Sequence, residues 1–222
     1  VTIEKMLSGD IFGVQKYFPQ MHEVPASLTT FPRTFANQSL YTMKVKSLYE
    51  RGELTDRIAA QLKTQKKAPE SIIKLVLDEI TSNALFRAPI NDLGEFKYQT
   101  KNTHHDILLA HQDIVLDEED QFTLQFGVCD EWVILACIDP HGRLTTKEIL
   151  YRLHRHLSAD PDSGLPSGLH DPHGRGIFLL REQLSSLVFN IGRGRKTEVI
   201  CMYNTVAAQA YKNISIYEID AV

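Results

Sequence analysis

The segment Phe122–Ile138 most constrains the fold of this chain. Phe122-Thr123-Leu124-Gln125-Phe126-Gly127-Val128 alternates apolar with polar or small residues, the period of a strand with two unlike faces. Trp132 to Ile138 is then almost continuously apolar, as expected of a central strand buried on both faces. Asp130-Glu131 between them suits a tight hairpin turn. A core sheet is therefore expected here, with Trp132 to Ile138 as a central strand.

The flanking patterns supply the other elements. Helices are predicted over about 54–65, 71–86, 145–157 and 177–184. In the second, Ile72, Leu75, Val76, Ile80 and Leu85 are apolar at helical spacing, Ser71 offers a cap, and Pro89 ends the run. Further strands are expected over 186–191 and 197–203, joined by Gly192-Arg193-Gly194-Arg195, and over 214–219. Helices come first and a mixture of strands and helices follows, which predicts an α+β layer sandwich. Residues 1–20 read as a short amphipathic helix and 21–39 as a linker or extended arm. The expected division is an arm over 1–39 and one domain over 40–222. A start at Val1 rather than Met suggests a piece of a longer chain.

Composition bounds the function. At 222 residues with 43% hydrophobic residues, the chain can bury a core without disulfides or structural metal. The net charge of −4 offers no basic footprint for nucleic acid. No apolar run approaches the roughly 18 residues of a membrane span. Val1-Thr2-Ile3-Glu4-Lys5 does not open a signal peptide. Cys129, Cys137 and Cys201 lie in apolar strand-like runs and form no CxxC pair; reduced buried thiols in a cytoplasmic protein are expected.

Four short motifs carry chemistry. Glu79 and Asn83 are one turn apart on the helix over 71–86, so a carboxylate and a carboxamide share a face. The first is suited to proton transfer and the second to a hard cation. Asp139 ends the buried strand, where open sheets place ligands. Gly174-Arg175-Gly176 opens the helix at 177, where free N–H groups favour phosphate. Gly192-Arg193-Gly194-Arg195-Lys196-Thr197 joins two strands. It is not a Walker A loop, because Arg195 separates Gly194 from Lys196 and no helix follows.

In this order the four motifs resemble the GHKL ATPase superfamily, over about residues 40–204. The likeness is strongest to the anti-sigma-factor serine/threonine kinases. Asp78-Glu79-Ile80-Thr81-Ser82-Asn83-Ala84 looks like that branch's N box, Gly174-Arg175-Gly176-Ile177-Phe178-Leu179-Leu180-Arg181 like its second glycine box, and Lys196-Thr197-Glu198-Val199 like its closing segment. The first glycine box departs from the pattern: Asp139-Pro140-His141-Gly142-Arg143 stands where DxGxG is usual.

The resemblance implies the histidine kinase-like ATPase fold, a mixed sheet with helices on one face. It also implies ATP and Mg²⁺ as cofactors. Glu79 would be the general base and Asn83 the Mg²⁺ ligand. Asp139, Gly142, Gly174, Arg175, Gly176, Ile177, Lys196 and Thr197 would contact the nucleotide. Within that set Asp139 would bind the adenine amino group, with Thr197 nearby, and 158–173 would form a lid over the ATP. The implied reaction is phosphoryl transfer to Ser or Thr of a regulatory partner, an anti-sigma antagonist or a response-regulator-like protein. Two alternatives stand beside it: the ATP-binding half of a histidine kinase, and a binding module without turnover. No helix carries a phosphoacceptor histidine, since His22 is followed closely by Pro25. A zinc site from His156, His170 and His173 is the weaker competing use of the histidines. The arm could serve for homodimerisation, autoinhibition or linkage to another domain.

Overall fold

A computed structural model describes residues 11–98, 114–157, 176–206 and 212–220. Its described residues form one seven-stranded mixed sheet and four α-helices. The strands are β1 (His22–Pro25), β2 (Ser39–Val45), β3 (Phe122–Cys129), β4 (Trp132–Asp139), β5 (Ser186–Gly192), β6 (Lys196–Asn204) and β7 (Asn213–Ile219), in the order β1-β2-β3-β4-β6-β5-β7. The two outer pairs, β1–β2 and β5–β7, are parallel, and the four inner pairings are antiparallel. The helices are α1 (Leu48–Thr64), α2 (Glu70–Ser82), α3 (Thr146–Leu157) and α4 (Gly176–Gln183).

All four helices lie on one face. The main core joins Leu54, Ile58 and Leu62 of α1, Ile73, Val76, Leu77 and Ile80 of α2, Ile149 of α3 and Leu180 of α4 to alternate strand residues such as Phe126, Leu135 and Phe189. The opposite parity of β4 and β6 (Ile134, Ala136, Ile200 and Met202) forms a second, smaller core. Val14, Phe18 and Met21 cover it. This explains why Trp132–Ile138 is apolar throughout: both faces of β4 are buried.

The hairpin β3–β4 forms as expected, with Asp130 at φ 54° in the turn. Asn37 steadies that turn, accepting from the Asp130 N–H at 2.7 Å and donating to its carboxylate at 3.0 Å. Aspartate tolerates this left-handed position, so the glycine usual in such turns is dispensable.

Several expectations are corrected. The amphipathic helix over 1–20 is not found where the chain is described; residues 11–20 carry a single 3₁₀ turn, Val14–Lys16. Gly13, at φ 107°, stops a helix from passing through. Residues 1–10 are outside the described set. The segment read as an extended arm contributes β1 to the sheet, and β2 crosses residues 39 and 40. The first helix starts at Leu48 rather than near 54, because Ser47 accepts from the Glu50 N–H at 3.1 Å and caps it. The second helix starts at Glu70 after Pro69, not at Ser71, and its buried stripe is Ile73, Val76, Leu77 and Ile80, leaving Ile72 and Leu75 half-buried. It leaves α geometry at Ser82 and ends in a π turn, Asn83–Arg87.

Candidate functional site

The helical layer and the sheet enclose one cavity of about 280 Å³ at the C-terminal end of β4. The walls are Ile80, Ala84, Ala88, Ile90 and Phe96 on the α2 side, Ile177 and Leu180 of α4, and Phe189 and Val199 of the sheet. Mostly apolar walls with a few converging polar groups are the usual make-up of a small-molecule site. The polar groups are Asn83, Asp139 and Thr197, with Arg87, Arg143, Glu148 and Arg152.

Asp139 and Thr197 are cross-strand partners in β4 and β6, so their side chains share a face. Asp139 Oδ1 accepts both turn amides, from His141 at 2.9 Å and Gly142 at 3.2 Å. Among the described residues no amide is given to Oδ2. Burial pushes the Asp139 carboxyl above its ordinary range, against the pull of these amides, His141 and the nearby Thr197 hydroxyl. Thr197 Oγ1 is buried beside the Asp139 carboxylate, which is its polar neighbour on that face.

Asn83 opens the π turn. Its Nδ2 donates to the Glu79 carbonyl at 2.8 Å, leaving the carboxamide oxygen to coordinate. Glu79 is half-buried and does not line the cavity; its carboxylate lies against the start of α4. A Cβ at Gly176 would come 2.0 Å from Glu79 Oε2 and 2.9 Å from Cδ. The glycine therefore permits the approach of α4 to Glu79. Burial raises the Glu79 carboxyl above its usual range, with Asp78 adding to the shift and Arg51, Arg87 and Arg152 opposing it. A glutamate so raised is a better proton acceptor near neutral pH.

Gly176→Ala follows as a test of this packing. The obstructing atoms are the far end of a flexible side chain, so stability should fall by less than about 1 kcal/mol while the carboxylate is displaced. Chemical denaturation and a crystal structure of the variant check both parts; an unmoved Glu79 would refute the steric argument.

The structure thus brings Asn83, Asp139, Ile177 and Thr197 to one cavity, with Glu79 and Gly176 in contact beside it. It does not bring Lys196 or Gly142 there. Lys196 lies on the other face of β6, its Nζ 4.0 Å from the centre of the Phe12 ring. Gly142, at φ 60°, is packed into the β5–β6 turn, where Gly194 N–H donates to its carbonyl at 3.1 Å. Gly174, Arg175 and residues 158–173 lie outside the described residues, as do His170 and His173. Among the described residues no three His, Cys, Asp or Glu side chains group as a metal site, and no helix is long and apolar enough to cross a membrane.

Sequence reasoning missed Arg87, Arg143 and Arg152. Arg87 and Arg152 stand beside or within helices read for hydrophobic period, Arg143 was quoted only as the last residue of the altered first glycine box, and nothing local distinguishes them from solvated arginines. Cys137, on the cavity wall, was read as buried, which holds: all three cysteines are buried and free. No protein-family model matches this chain, and no curated protein matches it.

Proposed function

We propose that the chain binds ATP with Mg²⁺ in this cavity and is a GHKL-type regulatory kinase of the anti-sigma-factor kind, transferring the γ-phosphoryl to Ser or Thr of a partner protein. The observation that carries the reading is the pair at the cavity floor. Asp139 gives only Oδ1 to the turn amides, and the Thr197 hydroxyl lies buried beside its carboxylate. An exocyclic amine beside a ring nitrogen, as in adenine, meets a carboxylate and a hydroxyl so arranged. The cavity is at the small end for a ligand site and takes a base and sugar. The phosphates then lead toward α4, whose N-terminal N–H groups favour negative charge.

Asn83 suits Mg²⁺, because its remaining donor is an uncharged oxygen held by the Nδ2 bond. The ion, when bound, would neutralise charge on the phosphates. The acceptor hydroxyl oxygen would bond to the γ-phosphorus, the bond to the β,γ-bridging oxygen would break, and ADP would leave. The hydroxyl proton would pass to Glu79.

A thermal melt with Mg-ATP tests binding. Saturation at a hundred times Kd should add about 2.7 kcal/mol, a rise of roughly 5–10 °C for a domain of this size. No rise at millimolar ATP sinks the proposal. Glu79→Ala should keep the rise and lower transfer to the partner by about 10²–10⁴-fold.

A second reading has its own support. Gly142 is committed to the β5–β6 turn, and the first glycine box is out of step with the superfamily pattern. A nucleotide-binding module without turnover fits that departure. Binding with no labelled Ser or Thr on any partner, in wild type as in Glu79→Ala, would select it.

A further inference from the structure

We propose that Arg51 is a positioning residue that locks the last turn of α2 and so fixes the Glu79 carboxylate. The proposal rests on the reading of Glu79 as the proton acceptor.

Arg51 lies in the first turns of α1, and its side chain is only 15% exposed. Its Nε donates to Thr81 Oγ1 at 2.8 Å. Its Nη2 reaches Asp78 Oδ1 at 2.9 Å, the Asp78 carbonyl at 3.2 Å and Ser82 Oγ at 2.8 Å. One guanidinium therefore grips the three residues that flank Glu79 on its turn. The planar, fixed fork of arginine makes this possible; an ammonium cannot span the same acceptors. The ion pair alone does not account for the arrangement, because the Asp78 side chain is 54% exposed and its charge is screened.

This turn has particular need of an outside anchor. Just beyond it the ladder of α2 gives way to the π turn Asn83–Arg87. Thr81 Oγ1 bonds back to the Leu77 carbonyl at 2.6 Å, and Asn83 Nδ2 to that of Glu79, so local side chains already crowd these carbonyls. Such breaks in helices mark functional positions and need compensating contacts. Arg51 ties the turn to α1, which is packed in the main core through Leu54 and Ile58.

The charge of Arg51 also bears on Glu79. Burial and Asp78 raise that carboxyl, and Arg51, Arg87 and Arg152 favour its ionised form. Arg87 and Arg152 reach it from the π turn and from α3, so Arg51 is the contributor from α1.

Three chains test the proposal: wild type, Arg51→Gln and Arg51→Lys, each shown to be folded by its thermal melt. NMR follows the backbone amides of Glu79, Ser82 and Asn83, and steady-state kinetics gives kcat and KM for Mg-ATP. In Arg51→Gln, and in Arg51→Lys, which keeps the charge but not the fork, these amide shifts should move, kcat should drop at least tenfold, and KM should change less than threefold. Unmoved amide shifts and unchanged kcat in both variants would overturn the proposal, as would a loss confined to KM. If wild type transfers no phosphoryl group, the kinase reading fails, and the amide shifts alone then decide the role of Arg51. If Arg51→Gln does not fold, the amide shifts of Ser82 and Asn83 in Arg51→Lys decide it: movement supports the grip, and none refutes it.

Discussion

Asp139→Ala should weaken Mg-ATP binding by about one to two orders of magnitude. The substitution removes the carboxylate at the cavity floor and leaves Thr197 Oγ1 with a methyl group beside it. Hydrogen bonds to a charged group contribute about 1.5–3 kcal/mol, so affinity should fall by roughly 10–150-fold. The turn loses its Oδ1 acceptor in the same step, which complicates the alanine variant. Asp139→Asn separates the effects. Its carboxamide oxygen can still accept from His141 and Gly142, while the second position becomes a donor that repels an amine. Isothermal titration should find this weakening in both variants; wild-type affinity in Asp139→Asn would move the adenine contact elsewhere.

The same residue predicts a pH dependence. Burial raises the Asp139 carboxyl above its unfolded value. Its contribution to stability is thus full below the unfolded pKa and declines as pH rises through the raised folded pKa. Asp139→Asn should flatten that decline, which sets in above the ordinary carboxylate pKa, as read from urea unfolding at a series of pH values.

Gly142→Ala should give the largest loss of stability. Its Cβ would lie 2.1 Å from the Gly192 carbonyl oxygen and 2.8 Å from the amide nitrogens of Arg195 and Lys196. All of these are backbone atoms, and φ at this position is 60°. Neither the clash nor the left-handed strain can be relieved by a rotamer change. A loss of about 2–4 kcal/mol is expected. Gly52→Ala is the control: it lies within α1 with nothing within 4 Å of its Cβ, so it should gain about 0.5–1 kcal/mol. Paired denaturation curves settle both, and a mild Gly142→Ala would mean that the β5–β6 turn yields.

The strands that alternate or run apolar through their length were legible in the sequence. Phe122–Val128 and Trp132–Ile138 fall within one or two residues of β3 and β4, because burial of one or both faces leaves a direct trace in residue order. β2 was not legible. Tyr41, Met43 and Val45 do alternate with Thr42 and Lys44, but the run is short and two prolines upstream drew the reading toward an arm. β1 is four residues long and owes its strand geometry to β2, not to its own pattern. For the site, Glu79, Asn83, Asp139 and Thr197 were found because their order is distinctive. The arginines were not, because what places them at a cavity is the packing of α3 against α4 and the shift of the π turn. Neither has a local signature. Lys196 was grouped with Thr197 by adjacency in sequence, whereas neighbours along a strand point to opposite sides.

That last point gives β6 a further consequence. Thr197 serves the cavity; Glu198, its neighbour, is buried on the reverse side, where it accepts from Asn190 Nδ2 at 2.7 Å and from the Gly13 N–H at 2.8 Å. A slip of β6 by one residue that set Glu198 opposite Asp139 would bring an acid to the cavity floor and put Val199 where Glu198 now stands, leaving the Gly13 N–H and Asn190 Nδ2 without their acceptor. The strand acts as a combination lock with a single working setting. Insertions or deletions in the Arg193-Gly194-Arg195 turn should therefore be far less tolerated than point changes there.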